Sequence, residues 1–386
     1  MKRYLWIAGG VLLVIASSLG LAAILPQREQ VFDFIMLYSA SLGIIHRVPL
    51  YDNPAIIHLA TTQLNLLDGF TLFPYPYPPW YALSVFYLAF LPLEKAATAW
   101  TLLNTAILLT SVILLTDSWK PFPRLVAALA ALIFIPSLGL IVVGQYSAPV
   151  LLGAALFLYA ARREDAPLTA LGLLLMTFKP HIGLFLLPIG FLWLVFQRTP
   201  FARRVIWMAL GGGVALAVIG FLADPAWPLT YVRSLMSYTT VPGVANRDLS
   251  ASFSAFLVKL ALGYGNGFWA TWVSVVLIAV MLVLFWRFKV FSNLETLVVG
   301  CTLMTLLGDP YMFNYDYVLM ILPLVCLAAS AKGLPQRLTL ALAYVVPWTS
   351  FLWQRDANIL YAIAAISLLA ILLRKTQKLG LAFNQK

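Results

Sequence analysis

The sequence has few charged residues and almost no cysteine. Only 10% of its 386 residues are charged, whereas a soluble globular chain carries about a quarter. With 62% hydrophobic residues, a water-soluble fold would expose large apolar patches, so a soluble globular protein is excluded. The two cysteines, Cys301 and Cys326, lie in apolar segments without metal-ligand spacing, which predicts packing residues.

Long hydrophobic runs are what the sequence has instead, for example at 4–25, 205–222 and 360–373. Several reach the roughly 20 residues that a helix needs to cross a bilayer. None alternates with the period of two that outer-membrane strands show, so the pattern predicts an all-α bundle. The first run is longer than a signal-peptide core and lacks a clear cleavage site, so we interpret it as a retained span.

The basic residues lie in short clusters between the hydrophobic runs. This spacing is typical of the positive-inside pattern and argues against a nucleic-acid partner, despite the net charge of +11. Placing the clusters in the cytoplasm puts 17 of the 25 basic residues inside, with 4 of the 14 acidic ones. The same assignment puts both termini in the cytoplasm of a multi-pass inner (plasma) membrane protein.

This orientation predicts a single domain, 1–386, with about twelve transmembrane helices. Segment 79–93 is short for a crossing, so we place it on the outer side as a re-entrant or interfacial helix. Two long outer loops result, 26–97 and 223–268, and each contains an amphipathic stretch, 55–67 and 249–262 respectively, that we expect to lie on the membrane surface. The predicted spans are 4–25, 98–116, 125–142, 148–161, 167–178, 182–197, 205–222, 269–286, 293–307, 317–331, 338–353 and 358–373.

The most unusual acidic residue is Asp33, which follows the first span between Phe32 and Phe34. Polar residues near membrane depth are costly and tend to mark function. A carboxylate among aromatic residues at the membrane surface suits a partly desolvated general base. The alternatives are a helix N-cap or a partner for Arg47.

Three short outer turns carry further polar residues: 144–147, 178–181 and the stretch from 308 to 317. Lys179 stands alone between two hydrophobic spans, where it either binds a phosphate or extends to the lipid headgroups. Aspartates in such turns more often pair with a nearby cation than act in catalysis, so we expect ion pairs for Asp309 and Asp316. No spacing among the histidines indicates a zinc site, and His181 is an ordinary hydrogen-bonding candidate.

At these residues the chain resembles glycosyltransferase family 87, the polyprenol-phosphate-dependent mannosyltransferases of the GT-C class. The resemblance extends over nearly the whole chain, although each motif is short. The chain departs from the family pattern at two places. Arg247-Asp248 interrupts the usual Asn-x-Ser spacing, and Tyr315-Asp316 stands where the family often has a basic residue or a histidine. The residues on which the resemblance rests are Asp33-Phe34, Tyr38, Leu50-Tyr51-Asp52, the Tyr75–Pro79 region, Trp100, Asn104, Gly144-Gln145, Lys179-Pro180 and Asn246 to Ser250.

The resemblance implies transfer of a sugar, mannose in this family, from a polyprenyl-phosphate carrier to a glycolipid or glycan hydroxyl on the outer face. Asp33 would be the general base, and Lys179, Arg247 and Arg233 would hold the phosphate. One base and a direct displacement imply inversion, and neither a metal nor a cofactor is expected. The implied substrate-binding residues are Tyr38, Tyr75, Tyr77, Gln145, His181, Asn246, Tyr315 and Asp316.

Two other functions stay open at this point. A transporter or lipid-linked sugar flippase is also rich in helices, but the inverted repeats and matching interrupted helices of many transporters are not evident. A structural subunit of the cell envelope would leave Asp33 and Lys179 unexplained.

Overall fold

The computed structural model describes residues 32–64, 72–238, 250–352 and 358–383, together with Ala16 and Gly20. These ranges contain helices and no β-strand. The predicted first span, 4–25, therefore lies outside the described residues apart from two positions. The α-helices are α1 Phe32–Ile45, α2 Asn53–Leu64, α3 Pro79–Val85, α4 Leu93–Leu115, α5 Pro121–Ile133, α6 Ile135–Val143, α7 Ala148–Ala161, α8 Ala166–Leu175, α9 Pro180–Gln197, α10 Pro200–Gly220, α11 Trp227–Tyr238, α12 Phe253–Leu262, α13 Ala270–Arg287, α14 Leu294–Gly308, α15 Ile321–Ala328, α16 Leu334–Val345 and α17 Asn358–Phe383.

Several helix starts follow directly from the local sequence. Proline occupies the first or second position of α3, α5 to α10 and α16, where its missing N–H is not needed. Asp165, Thr199, Ser252 and Asn293 cap α8, α10, α12 and α14 by accepting hydrogen bonds from backbone N–H groups of the first turn. The predicted spans, placed by their hydrophobicity, begin up to five residues from these helix starts, as 205–222 does relative to α10.

The predicted number of twelve crossings is not confirmed. Among the described residues, five helices are long and apolar enough to cross a membrane: Leu93–Leu115, Pro180–Gln197, Pro200–Gly220, Gly267–Arg287 and Ile359–Gln377. A sixth crossing results if α5 and α6 count as one span bent by 54°. Other predicted spans form shorter apolar helices, such as Ala148–Ala161 and Leu294–Gly308. The described part of the chain is thus all-helical, with apolar helices of membrane type.

Segment 79–93, which we predicted to be too short for a crossing, forms α3 and a 3-10 helix, Phe86–Phe90. The two predicted surface stretches, 55–67 and 249–262, correspond to α2 and α12, which begin at Asn53 and Phe253. Both are shorter than the roughly 20 residues of a bilayer crossing.

Aromatic packing fixes the start of α1 against the rest of the bundle. The Phe34 ring stacks on Trp100 of α4 with centroids 5.7 Å apart, and Tyr77 meets Tyr146 edge-on at 4.9 Å. All four side chains are buried. Aromatic pairs at these separations contribute beyond the burial of their surface. They hold the first turn of α1 beside the connection between α6 and α7.

Helices α7 and α8 approach closely because two glycines face each other. A Cβ atom on Gly172 would lie 2.7 Å from the backbone N of Phe157 and 2.8 Å from the carbonyl oxygen of Gly153. Small residues allow this kind of backbone contact between membrane helices. The contact sets the positions of the turns at both ends of α7 and α8.

We expect Gly172→Ala to destabilise the protein by about 1–3 kcal/mol, because rigid backbone must move to admit the methyl group. The matched control is Gly213→Ala in α10, where a Cβ would meet nothing within 4 Å. That change should be neutral or slightly stabilising, since alanine favours helix by up to about 1 kcal/mol. Thermal unfolding in detergent compares the two, and equal melting temperatures would contradict the close contact.

Candidate active site

Asp33 lies in the first turn of α1 and is held by Gln145. Gln145 Nε2 donates a hydrogen bond of 2.6 Å to Asp33 Oδ2. The other oxygen, Oδ1, has no hydrogen-bond partner in the described part of the chain. Asp33 is partly buried and borders a cavity. It binds Gln145 rather than Arg47, the alternative partner considered from the sequence.

The turn that carries Gln145 is built by glycine and by two side chains of α4. Gly144 ends α6 with φ at 72°, a left-handed conformation that glycine adopts without strain. Trp100 Nε1 donates to the Gly144 carbonyl at 2.9 Å, and Asn104 Nδ2 donates to the Gln145 carbonyl at 3.2 Å. The buried backbone of the turn is therefore satisfied, and the Gln145 side chain has a fixed origin.

Lys179 is buried at the N-cap of α9, with only 1% of its surface exposed. Its Nζ donates to Asp316 Oδ1 at 2.6 Å, to Gln145 Oε1 at 3.1 Å and to Ser147 Oγ at 3.1 Å. An ammonium group has three N–H donors, so all of them have protein acceptors. The alternative that Lys179 extends to the headgroups is wrong, because its side chain is buried in the protein.

Asp316 is the fully buried partner of Lys179. It lies in the 3-10 helix Asn314–Met320, where its Oδ2 accepts the Phe313 N–H at 3.0 Å. Its Oδ1 accepts from Lys179 and also from the Ser147 hydroxyl. The pairing of this aspartate with a cation, expected from the sequence, is present. A buried ion pair with this many hydrogen bonds satisfies both of its charges.

These groups surround a cavity of about 220 Å³ with aromatic walls. That volume is below the roughly 300–1,000 Å³ of a pocket for a drug-sized ligand, so it suits a smaller ligand. The Phe313 and Tyr315 rings stack with centroids 5.3 Å apart, and Lys179 Nζ lies 5.2 Å from the Tyr315 ring. The lining residues are Asp33, Met36, Phe73, Tyr77, Gln145, Lys179, His181, Tyr238, Tyr311, Phe313 and Tyr315.

One wall of the cavity presents neutral hydrogen-bonding groups. The hydroxyls of Tyr238 and Tyr311 are 3.3 Å apart, and the His181 ring meets Tyr311 edge-on at 6.1 Å. Burial raises the pKa of Tyr77, Tyr238 and Tyr311, so their hydroxyls stay protonated at neutral pH. The buried Nε2 of His181 has no hydrogen-bond partner among the described residues. These groups can donate to or accept from a polar ligand.

Three larger cavities, of about 830, 500 and 380 Å³, lack this combination of groups, and the third shares Glu164 and Arg204 with the first. One of about 830 Å³ is open and lined by Glu164, Arg203, Arg204 and their neighbours, on the side we predict to be cytoplasmic. One of about 500 Å³ lies between α5, α15 and α16 and is almost wholly apolar. We take the smallest of these cavities as the candidate active site because it collects titratable groups around one carboxylate.

The environment of Asp33 makes it a stronger base than an ordinary aspartate. Burial raises its pKa, while the hydrogen bond from Gln145 and the charge of Lys179 lower it, and Asp316 raises it. Together these effects raise the pKa of Asp33 above its ordinary value. A carboxylate with a raised pKa accepts a proton more readily at neutral pH, as a general base must.

The structure brings together six of the predicted site residues around the cavity and a seventh directly behind it. The six are Asp33, Tyr77, Gln145, Lys179, His181 and Tyr315, and the seventh is Asp316.

Three other predicted residues lie away from the cavity. The Tyr38 hydroxyl donates to the Leu91 carbonyl, and the Tyr75 hydroxyl donates to the Pro78 carbonyl, so both serve packing. Arg233 is exposed on α11 and is not a lining residue. Asn246 and Arg247 lie outside the described residues.

Sequence reasoning missed Ser147, Tyr238, Tyr311 and Phe313. Ser147 and Tyr311 stand in two of the outer turns that the sequence marked, two residues from Gln145 and from Asp309. Tyr238 is the last residue of α11, and no local signal connects this helix with the turn at Tyr311. Its place in the cavity wall depends on how α11 packs in the folded protein.

Comparison with known protein families matches residues 75–310 to glycosyltransferase family 87. The matched range includes Gln145 and Lys179, whereas Asp33 precedes it and Asp316 follows it. A search of the curated proteins found no match. The family match covers more than half of the chain. The protein is therefore a member of glycosyltransferase family 87, a membrane glycosyltransferase.

Proposed function

We propose that this glycosyltransferase moves a hexose, mannose by analogy with the family, from a polyprenyl-phosphate carrier to an acceptor hydroxyl. The acceptor is a glycolipid or glycan at the outer face of the membrane. The proposal rests on the hydrogen bonding of the Asp33 carboxylate. One of its oxygens is held by Gln145, the other has no hydrogen-bond partner among the described residues, and the side chain lines a sugar-sized cavity.

The proposed reaction is a single displacement at the anomeric carbon. The acceptor oxygen forms a bond to that carbon, and the bond from the carbon to the phosphate oxygen breaks. The hydroxyl proton moves to Asp33, and the polyprenyl phosphate leaves with the bonding electrons. A phosphate is a good leaving group, so one base is sufficient. Displacement from the opposite side gives inversion at the anomeric carbon.

The donor phosphate needs hydrogen-bond donors that the protein does not already use. Lys179 is the cation among the described lining residues, but its three N–H groups bind Asp316, Gln145 and Ser147. The Tyr238 and Tyr311 hydroxyls bond to each other, which uses one of their two O–H donors, so we propose that the other one contacts the phosphate or the sugar. Arg247, which lies outside the described residues, remains a proposed ligand of the phosphate, whereas Arg233 is exposed and does not line the cavity.

An outer-face active site agrees with the charge distribution of the sequence. The turns that contain Gln145, Lys179 and Asp316 all follow spans on the side opposite the basic clusters. The cavity therefore opens where a carrier lipid in the outer leaflet presents its phosphate. The proposed location is the inner (plasma) membrane, with the site facing away from the cytoplasm.

The test is a transfer assay with the purified protein in lipid nanodiscs. Labelled polyprenyl-phosphate mannose and polyprenyl-phosphate glucose serve as donors, a nucleotide sugar serves as the control donor, and a membrane glycolipid extract supplies the acceptors. We expect transfer from a lipid-linked donor only, and NMR of the product should show the anomeric configuration opposite to that of the donor. Transfer from the nucleotide sugar alone, or retention of configuration, would contradict the proposal.

A further inference from the structure

A continuous chain of hydrogen bonds joins Asp316 to Asp33. Asp316 Oδ1 accepts from Lys179 Nζ at 2.6 Å, and Lys179 donates onward to Gln145 Oε1 at 3.1 Å. The Gln145 amide then donates to Asp33 Oδ2 at 2.6 Å. We refer to these four residues as the relay. Lys179, Gln145 and Asp316 are each at most 3% exposed.

The hydrogen-bond partners of the Gln145 side-chain amide allow it only one orientation. Gln145 Oε1 accepts from Lys179 and from the Tyr146 N–H at 3.0 Å, so two donors face its oxygen. Its NH₂ group must then face Asp33, because the reversed amide would direct donors at donors. Lys179 is fixed in turn by Asp316 and Ser147.

We infer that Lys179 and Asp316 are positioning residues for the catalytic carboxylate, acting through Gln145, and that Lys179 is not a ligand of the donor phosphate. This inference rests on the proposed role of Asp33 as the base. The relay binds Oδ2 and thereby directs Oδ1 towards the cavity, where the acceptor hydroxyl is to be deprotonated. Misplacing a reacting group by about 1 Å costs up to about 10²-fold in rate.

The relay also tunes the charge on Asp33. Lys179 favours the ionised carboxylate and Asp316 opposes it, while Gln145 favours it by donating to it. The remaining titratable groups around the cavity are His181, from α9, and four tyrosines, of which Tyr77 and Tyr315 are buried and Tyr238 and Tyr311 are half-buried. Loss of the Gln145 hydrogen bond should therefore move the titration of Asp33 to higher pH.

Two variants separate positioning from phosphate binding. Gln145→Leu removes the amide but keeps a side chain of similar size and leaves Lys179 and Asp316 in place. The double variant Lys179→Gln/Asp316→Asn removes both charges but keeps groups that can hydrogen-bond to Gln145. The control is Arg163→Gln, which breaks an exposed ion pair with Asp117 at the opposite end of α7.

The first measurement does not depend on transfer activity. A carbodiimide modifies protonated carboxyl groups, so mass spectrometry of Asp33 labelling across pH gives the midpoint of its titration. We expect a midpoint at higher pH in Gln145→Leu than in the wild type, and no change in Arg163→Gln. If the wild type transfers no sugar from any lipid-linked donor, the proposed function fails, whereas this titration still tests the relay.

The second measurement is steady-state transfer from the lipid-linked donor. In Gln145→Leu, kcat should fall by about 10–100-fold with little change in the donor KM, and the acidic limb of the pH profile should move to higher pH. The double variant should keep the wild-type donor KM. An unchanged titration and kcat in Gln145→Leu, or a raised donor KM with normal kcat in the double variant, would overturn the inference.

Discussion

Replacing Asp33 with asparagine should lower the rate of sugar transfer by about 10²–10⁴-fold, the usual loss when a general base is removed. Asparagine keeps the size of the side chain, and its carbonyl oxygen can still accept the hydrogen bond from Gln145. What it lacks is the basicity to take the acceptor proton. The variant should accumulate in the membrane and bind the lipid donor with wild-type affinity, as single-turnover and binding assays will show.

The matched control is Asp52→Asn in the same long loop. Asp52 Oδ1 accepts the Ala55 N–H at 3.2 Å at the start of α2, a capping role that asparagine fills equally well. Transfer by this variant should match the wild type. Near-normal transfer by Asp33→Asn would refute the role as base, and failure of that variant to accumulate in the membrane would make Asp33 a structural residue.

Much of the helical pattern could be predicted because its signals are local. Proline at 149, 180 and 200, within the first two helical positions, and polar caps such as Thr199 set the starts of several helices. The number of crossings could not be predicted in this way. Helix α7 is 14 residues long, and a break near Phe134 bends α5 against α6, so apolar composition alone does not show which segments traverse the bilayer.

The candidate site could be predicted in part, because the predicted topology brings several polar turns to the outer face of the membrane. The turns at Gln145, Lys179 and Asp316 were all expected on the outer side, and the structure gathers their side chains around Asp33. The partner of each residue was not predictable. The Lys179–Asp316 pair joins positions 137 residues apart, so its existence depends on how α9 and the 3-10 helix at Asn314–Met320 pack.

Breaking the Lys179–Asp316 pair should strongly destabilise the folded protein. In Lys179→Met, Asp316 loses its cation and remains fully buried, with hydrogen bonds only from Ser147 and the Phe313 backbone. Removing one partner of a buried ion pair destabilises proteins by about 3–5 kcal/mol. We therefore expect a clearly lower melting temperature for this variant in detergent, measured by tryptophan fluorescence or by loss of the monodisperse peak on heating.

Removing both charges should restore most of that loss, because no uncompensated charge is left in the interior. The double variant Lys179→Met/Asp316→Leu replaces the pair with apolar side chains of similar size, a change that is often neutral or stabilising in proteins. The exposed pair Arg163–Asp117 provides the contrast, since Arg163→Met should cost less than about 1 kcal/mol. If Lys179→Met were as stable as the wild type, the buried ion pair would not be present in the folded protein. If the double variant were no more stable than the single one, the loss would come from packing at Lys179 and not from the stranded charge of Asp316.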